Sequence, residues 1–272
     1  METWQLRAKK VKEVPAASMA FSALGTVGAE KLSFGFTKRK ILDAVDFCLR
    51  PASITCLLGG NGAGKTTLFN LITGFLRPDS GSLWYGHETL IGPAPYQISR
   101  LGVARTFQDL RLIGNLTVLE NILLAIPRHP GEQLMRALLP ACLNRAQDAE
   151  SLDKADHLLA EFFLANAAGQ LASKISYGQQ KLLTLACCAA MDAGLLLLDE
   201  PVAGISPEYQ ERITNLLRRM KDFGKTILLI EHQPDFLDRT GDKFLVLQAG
   251  RLYPFSTMAE LRAAPISHDA LA

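Results

Sequence analysis

The 272-residue sequence has no apolar run long enough to cross a bilayer. Stretches such as Leu185–Met191 end after a few residues, and a spanning helix requires about 20. There is no Cys-x-x-Cys pair. The five cysteines (Cys48, Cys56, Cys142, Cys187, Cys188) are odd in number, and the adjacent Cys187 and Cys188 point apart in a helical pattern. A metal cluster or disulfide framework is therefore not expected, and the thiols read as reduced. Charge of one sign is not in excess either: 29 Lys+Arg oppose 27 Asp+Glu, which removes any global reason for a nucleic-acid partner. Internal repeats, low-complexity tracts and heptad runs are absent from the pattern. What is abundant is hydrophobic residue, 48% of the chain, which excludes a disordered polymer and provides for one large or two small packed domains.

The first residues look like a secretory leader. Arg7, Lys9, Lys10 and Lys12 precede Val14–Ala29, rich in small and apolar residues. Pro15, Ser18, Ser22, Gly25, Thr26 and Gly28 break that stretch, so it lacks a strongly apolar centre. Residues 1–25 read instead as a loosely ordered extension before the first strand.

From Lys31 onward the periodicity sharpens. Leu32–Phe36 and Ile41–Leu49 read as strands around a turn at Thr37–Lys40. Ser53–Leu58 is a short apolar run of the kind a strand buried on both faces requires. A glycine loop follows, then a helix over Lys65–Ile72 stopped by Gly74 and Pro78. Leu112–Ala190 is largely helical in pattern. Leu195–Leu198 and Thr226–Ile230 are two more buried strands, separated by a helix over Pro207–Phe223 that Gly224 closes. Strands alternating with helices predict a parallel-sheet α/β core interrupted by a helical insertion.

Gly59-Gly60-Asn61-Gly62-Ala63-Gly64-Lys65-Thr66 matches G-x-x-x-x-G-K-[ST] in full. Its glycines let backbone N–H groups turn inward around a polyphosphate. The following helix directs its positive end at the same anion. Lys65 reaches the β- and γ-phosphates, and the Thr66 hydroxyl is a Mg²⁺ ligand. The loop binds a nucleotide, with Thr67 beside Thr66 counted among the contacts, but does not define what is done with it. Leu195–Leu198 then delivers Asp199-Glu200-Pro201 to the C-terminal edge of the sheet, where open α/β sheets bind ligands. Asp199 can hold Mg²⁺, through water, and Glu200 can act as general base on the attacking water. The alternative is a solvated Asp-Glu turn. No guanine-reading Asn-Lys-x-Asp is present.

In order and spacing, these residues resemble the ATP-binding cassette (ABC) ATPases over about Val27–Arg262. Besides the phosphate loop and Asp199-Glu200, the resemblance rests on Gln108 in Arg105-Thr106-Phe107-Gln108, on Ile175-Ser176-Tyr177-Gly178-Gln179-Gln180, and on Glu231-His232. From Ser176 to Asp199 is a step of 23 residues, which suits one helix returning to one strand. Gly102–Gln108, Asn115–Asn121 and Leu229–His232 are similar to the branched-chain amino acid importer subgroup of G type. So is the long stretch Asn121–Leu171.

The resemblance implies a RecA-like P-loop NTPase core with an antiparallel β subdomain and an inserted α-helical subdomain. The ATPase domain would span 26–265, its helical subdomain about 101–190, with a tail at 266–272. It implies ATP and Mg²⁺, with Thr66, Gln108 and Asp199 at the metal. Phe36 would stack on adenine, the alternative being an ordinary core phenylalanine. Ser176, Tyr177, Gly178 and Gln179 would serve the γ-phosphate of a second ATPase subunit, in a head-to-tail pair with two ATPs between them. His232 would meet the γ-phosphate of its own subunit's nucleotide, and a lone histidine after a strand can equally be structural. Gln108 would sit where ATPase and membrane partner communicate.

The implied function is the ATPase of a membrane importer for branched-chain or related amino acids. Its partners would be two permease subunits and, indirectly, a substrate-binding protein, at the cytoplasmic face of the inner membrane, with no nucleic acid. The alternatives are an export-type ATPase for lipid-like cargo, a urea or short-amide importer ATPase, and a soluble ATPase acting on nucleic acid or ribosomes. The sequence departs from the family at Ser206, where an aspartate is usual, at Cys187, where many members carry arginine, and at Tyr253–Ser256, which lacks the usual glycine turn.

Overall fold

The computed structural model describes residues 26–36, 39–107, 110–127 and 145–265. Two sheets share a core. The first is antiparallel, in the order β2-β1-β4-β5, from β1 (Val27–Phe36), β2 (Arg39–Leu49), β4 (Ser80–Tyr85) and β5 (Glu88–Thr89). The second has the order β10-β9-β3-β8-β7-β6, from β3 (Ile54–Leu58), β6 (Val103–Arg105), β7 (Leu195–Asp199), β8 (Thr226–Ile230), β9 (Lys243–Gln248) and β10 (Arg251–Phe255). Within it β3 and β6 to β9 are parallel, and β10 returns antiparallel along β9. The predicted α/β core with an antiparallel β part and inserted helices is thus what forms.

The apolar runs are the central strands, and the pleat explains their composition. In β7, Leu195 and Leu197 face the core shared with the antiparallel sheet, while Leu196 and Leu198 face the core packed by helices. In β8, Leu228 and Ile230 take the first side and Ile227 and Leu229 the second. Neither face meets water, so no alternation survives.

The helices start and stop where the capping chemistry dictates. They are α1 (Lys65–Ile72), α2 (Pro95–Arg100), α3 (Val118–Ala125), α4 (Arg145–Glu161), α5 (Tyr177–Ala190), α6 (Pro207–Asp222), α7 (Pro234–Thr240) and α8 (Met258–Ala263). Pro207 opens α6 with Glu208 in its first turn, Arg219 and Lys221 lie in its last, and Gly224 follows at φ 87°, an arrangement that suits both backbone and dipole. Thr117 and Glu120 cap each other's backbone at the start of α3. Helices α3, α4 and α5 pack on one another over Val118, Ile122, Leu159, Phe162, Leu182 and Leu185.

The structure refines three sequence expectations. The first strand begins at Val27 rather than Leu32, so the end of the leader-like stretch Val14–Ala29 is strand; residues 1–25 lie outside the described residues. Val103–Arg105, within the span expected to be helical, is an edge strand of the core sheet. Tyr253–Phe255, in the segment that lacks the family's usual glycine turn, is the end of a strand. Ala249 (φ 49°) and Gly250 (φ 77°) join β9 to β10 as a two-residue hairpin loop of the type that matches strand twist. Pro254 then sits on the sheet's outer strand, where proline is tolerated.

Candidate active site

The phosphate loop leaves β3 and enters α1, and two glycines are obligatory for it. A methyl group on Gly59 (φ 149°) would stand 2.4 Å from the Leu247 carbonyl oxygen, and one on Gly64 (φ 110°) 2.6 Å from Cγ2 of Ile41. The loop therefore lies directly on β9 and β2. Asn61 and Gly62 are exposed, and the Ala63 N–H donates to the Gly60 carbonyl at 3.1 Å. Gly64 is the N-cap of α1 and offers no side-chain cap, and the first turn holds no acidic residue. The leading N–H groups of a helix have no intrahelical acceptor, so Lys65, Thr66 and Thr67 present a donor-rich end. The Lys65 ammonium curls back over the loop, donating to the Gly59 carbonyl and, at 3.2 Å, to that of Gly60. Burial pushes its pKa down, against the carboxylates of Glu200 and Asp199. A buried cation held by carbonyls alone suits an anionic ligand.

Asp199 ends β7 and is 6% exposed. Its N–H donates to the Thr106 hydroxyl at 2.9 Å. Its nearest countercharge is Arg105, with Nη2 3.9 Å from Oδ2. Arg105 is itself turned toward α1, donating to Asn70 Oδ1 at 2.7 Å and Thr73 Oγ1 at 3.3 Å, and lying near the rings of Phe69 and Phe107. Its Nε is buried without a partner among the described residues. Burial raises the Asp199 pKa; Arg105 opposes it, Glu200 adds to it, and Lys65 and Lys181 oppose it. A buried carboxylate so incompletely paired fits a divalent cation, with the Thr66 hydroxyl and phosphate oxygens as companion ligands.

Glu200 follows with φ 48°. Its N–H donates to the Ile230 carbonyl at 2.9 Å, and its own carbonyl accepts from Lys181 Nζ at 2.8 Å. His232 arrives from the end of β8, with Nε2 3.6 Å from Glu200 Oε1. Burial and the Lys65 charge lower the His232 pKa, and Glu200 opposes them. Its Nδ1 is buried without a partner among the described residues. Beneath both, buried Glu231 accepts from the N–H groups of Val202 and His232, at 3.2 and 2.7 Å. Lys65, Asp199, Glu200 and His232 thus converge from the C-terminal ends of β3, β7 and β8.

Phe36 and Ser176–Gln179 are held by other elements. Phe36 ends β1, is 53% exposed, and meets Phe34 edge-to-face at 4.9 Å, which rules out an ordinary core phenylalanine. Ser176 caps α5: its hydroxyl accepts from the Gln179 N–H at 3.3 Å, and its N–H donates to Gln179 Oε1 at 2.9 Å. Tyr177 is 46% exposed. Gly178 lets α6 close in, since a methyl there would stand 2.8 Å from the Tyr209 ring. Among the described residues no hydrogen bond joins these four to Lys65. Gln108 lies outside the described residues. Cys187, where many members of the family carry arginine, is partly buried, its pKa raised to about 12 by desolvation, and its thiol lies 3.5 Å from the Asn121 carbonyl. Lys181 lies outside the motifs, and Arg105, though within one, carried no role in the sequence reading. The signal for Lys181 was available: it shares a stripe at i, i+4, i+7 with Leu185 and Cys188, both buried.

Comparison with known proteins agrees with this geometry. Residues 42–203 match the family described as ABC transporter. The chain is 37% identical over 218 residues, 80% of its length and 86% of the relative's, to a high-affinity branched-chain amino acid transport ATP-binding protein, LivG, of Salmonella typhimurium. It is 32% identical over 82% of its length and 88% of the relative's to the corresponding protein BraF of Pseudomonas aeruginosa. Among solved structures, a nucleotide-free ATP-binding cassette from an ABC transporter superposes with a TM-score of 0.75 at 28% identity, covering 89% of this chain and 96% of the other.

Proposed function

The chain belongs to the ABC transporter family, and on that premise we propose that it energises the import of branched-chain or chemically related amino acids. It binds ATP and couples its hydrolysis to transport as the ATP-binding subunit of a transporter complex. No helix among the described residues is long and apolar enough to cross a membrane. The import reading and its cargo are supported by the printed names of the relatives, LivG and BraF, at 37% and 32% identity.

The site roles combine the geometry of the described residues with what membership of the family implies for Phe36, Gln108, Ser176–Gln179 and His232. The donors of the phosphate loop and Lys65 hold the β- and γ-phosphates, with Thr66 and Thr67 at the helix end. Thr66 and Asp199 hold Mg²⁺, together with Gln108; bound there, the ion neutralises charge on the phosphates. Glu200 takes the proton of the attacking water. His232, kept neutral by its surroundings, is placed by Glu231 to meet the γ-phosphate. Phe36 offers its exposed ring to adenine. Ser176–Gln179 serve the ATP of a second ATPase subunit, and Gln108 faces two permease subunits at the cytoplasmic side of the inner membrane.

The observation that carries the hydrolytic reading is the convergence of Lys65, Asp199, Glu200 and His232, with His232 and Glu200 3.6 Å apart. Glu200→Gln should keep ATP binding and lower turnover by about 10²–10⁴-fold, leaving an ATP-dependent dimer visible by size exclusion. Turnover at the wild-type rate in this variant would falsify the assignment of Glu200 as base.

A further inference from the structure

We propose that Lys181 is a positioning residue for Glu200, and that through it helix α5, which Ser176 caps, sets the geometry of the general base. The inference rests on the reading of Glu200 given above. Glu200 precedes Pro201, and a residue before proline favours extended backbone. It is instead left-handed, at φ 48°, a conformation unfavourable for a side chain of its size. Two bonds from distant elements hold it there, beside a longer local one from the Ala203 N–H to its carbonyl at 3.4 Å. The Ile230 carbonyl takes its N–H at 2.9 Å, and the Lys181 ammonium donates to its carbonyl at 2.8 Å. The first tie comes from the neighbouring strand; the second comes from a different part of the fold, one turn into α5.

Packing does not account for Lys181. It is 5% exposed, on a helix face that continues with buried Leu185 and Cys188, where a methionine of similar length would fit at no desolvation cost. Among the described residues its ammonium makes one hydrogen bond, to Glu200, and lies 5.5 Å from the Tyr177 ring centroid. A buried charge committed to a backbone carbonyl fixes a peptide orientation. Release of that peptide would let Glu200 return to extended backbone and swing its carboxylate off its present line toward His232. Because Ser176–Gln179 begin the same helix, the group that would feel a partner's nucleotide and the group that holds this chain's base are joined by a single helical turn.

The test is a double-mutant cycle on the purified full chain, read by single-turnover hydrolysis of radiolabelled ATP, with ATP affinity and thermal unfolding measured alongside. Lys181→Met should leave ATP affinity unchanged and lower the hydrolytic rate by about ten- to hundredfold, the range expected when a strained conformer loses its hold. Lys181→Arg, which keeps charge and donor, should restore most of the rate. In a Glu200→Gln background the Lys181→Met loss should vanish, since the carboxylate being positioned is gone. A loss of equal size in both backgrounds, or a loss confined to ATP affinity, overturns the proposal. Should Lys181→Met not fold, Lys181→Gln carries the same comparison. Failure of the underlying reading is distinct: Glu200→Gln alone would then hydrolyse ATP normally.

Discussion

Two helix ends carry the chemistry of this chain, and they are finished differently. At α1 the cap is Gly64, no side chain covers the leading N–H groups, and a buried ammonium waits beside them. At α5 the cap is Ser176, and Ser176 and Gln179 satisfy each other's backbone in a closed reciprocal box. The first end is preorganised for an anion within the same chain. The second is partly self-satisfied: the box takes the Ser176 and Gln179 N–H groups and leaves the Ser176 hydroxyl proton and the leading N–H groups of Tyr177 and Gly178 for an outside phosphate. The contrast is in keeping with the proposal that α1 serves this chain's nucleotide and α5 a partner's.

Breaking the open end should cost most. Lys65→Ala should weaken ATP binding by on the order of a hundredfold or more, because it removes the charge-assisted donor of the cradle; isothermal titration checks this, and near-normal affinity would put the anion elsewhere. Breaking the closed end should have a smaller and differently placed effect. Ser176→Ala should leave ATP affinity of the isolated chain unaltered and cost about 1 kcal/mol of stability through loss of the cap, read as a lowered midpoint in denaturant. Equal loss of affinity in both variants would erase the contrast. The smallest effect concerns pH. Burial and Lys65 hold the His232 pKa below its ordinary value, so the unfolded chain takes the proton more readily. The associated stability is complete above about pH 6.5 and falls as pH drops through the folded value. His232→Ala should flatten that acid-side decline in thermal unfolding of the nucleotide-free chain.

The phosphate loop, the Asp199-Glu200 pair and the central strands were readable in the sequence because each is dictated locally. A glycine loop has one use before a helix, and a strand buried on both faces must be apolar throughout. Helix α1 was placed at its observed bounds for the same reason. The strand β6 was not readable, since three residues carry no period, and β4 and the β9–β10 hairpin were passed over although Ala249-Gly250 is a turn signal. The left-handed Glu200 ran against local preference, because Pro201 argues for extended backbone and the opposing force comes from Lys181 and Ile230, distant in sequence. The incomplete pairing of Asp199 with Arg105, 3.9 Å away, likewise depends on what packs nearby rather than on the residue alone, whereas the reciprocal cap of Ser176 and Gln179 is a local sequence signature.

The contact between Gly59 and the Leu247 carbonyl has a consequence for biogenesis. The floor of the nucleotide pocket is contributed by a strand near the far end of the chain. At a synthesis rate of roughly 5–20 residues per second, that floor leaves the ribosome about 10–40 s after the loop that rests on it. Until then the nascent polypeptide carries its glycine-rich segment without support, and ATP in the surrounding fluid has no completed pocket to stabilise.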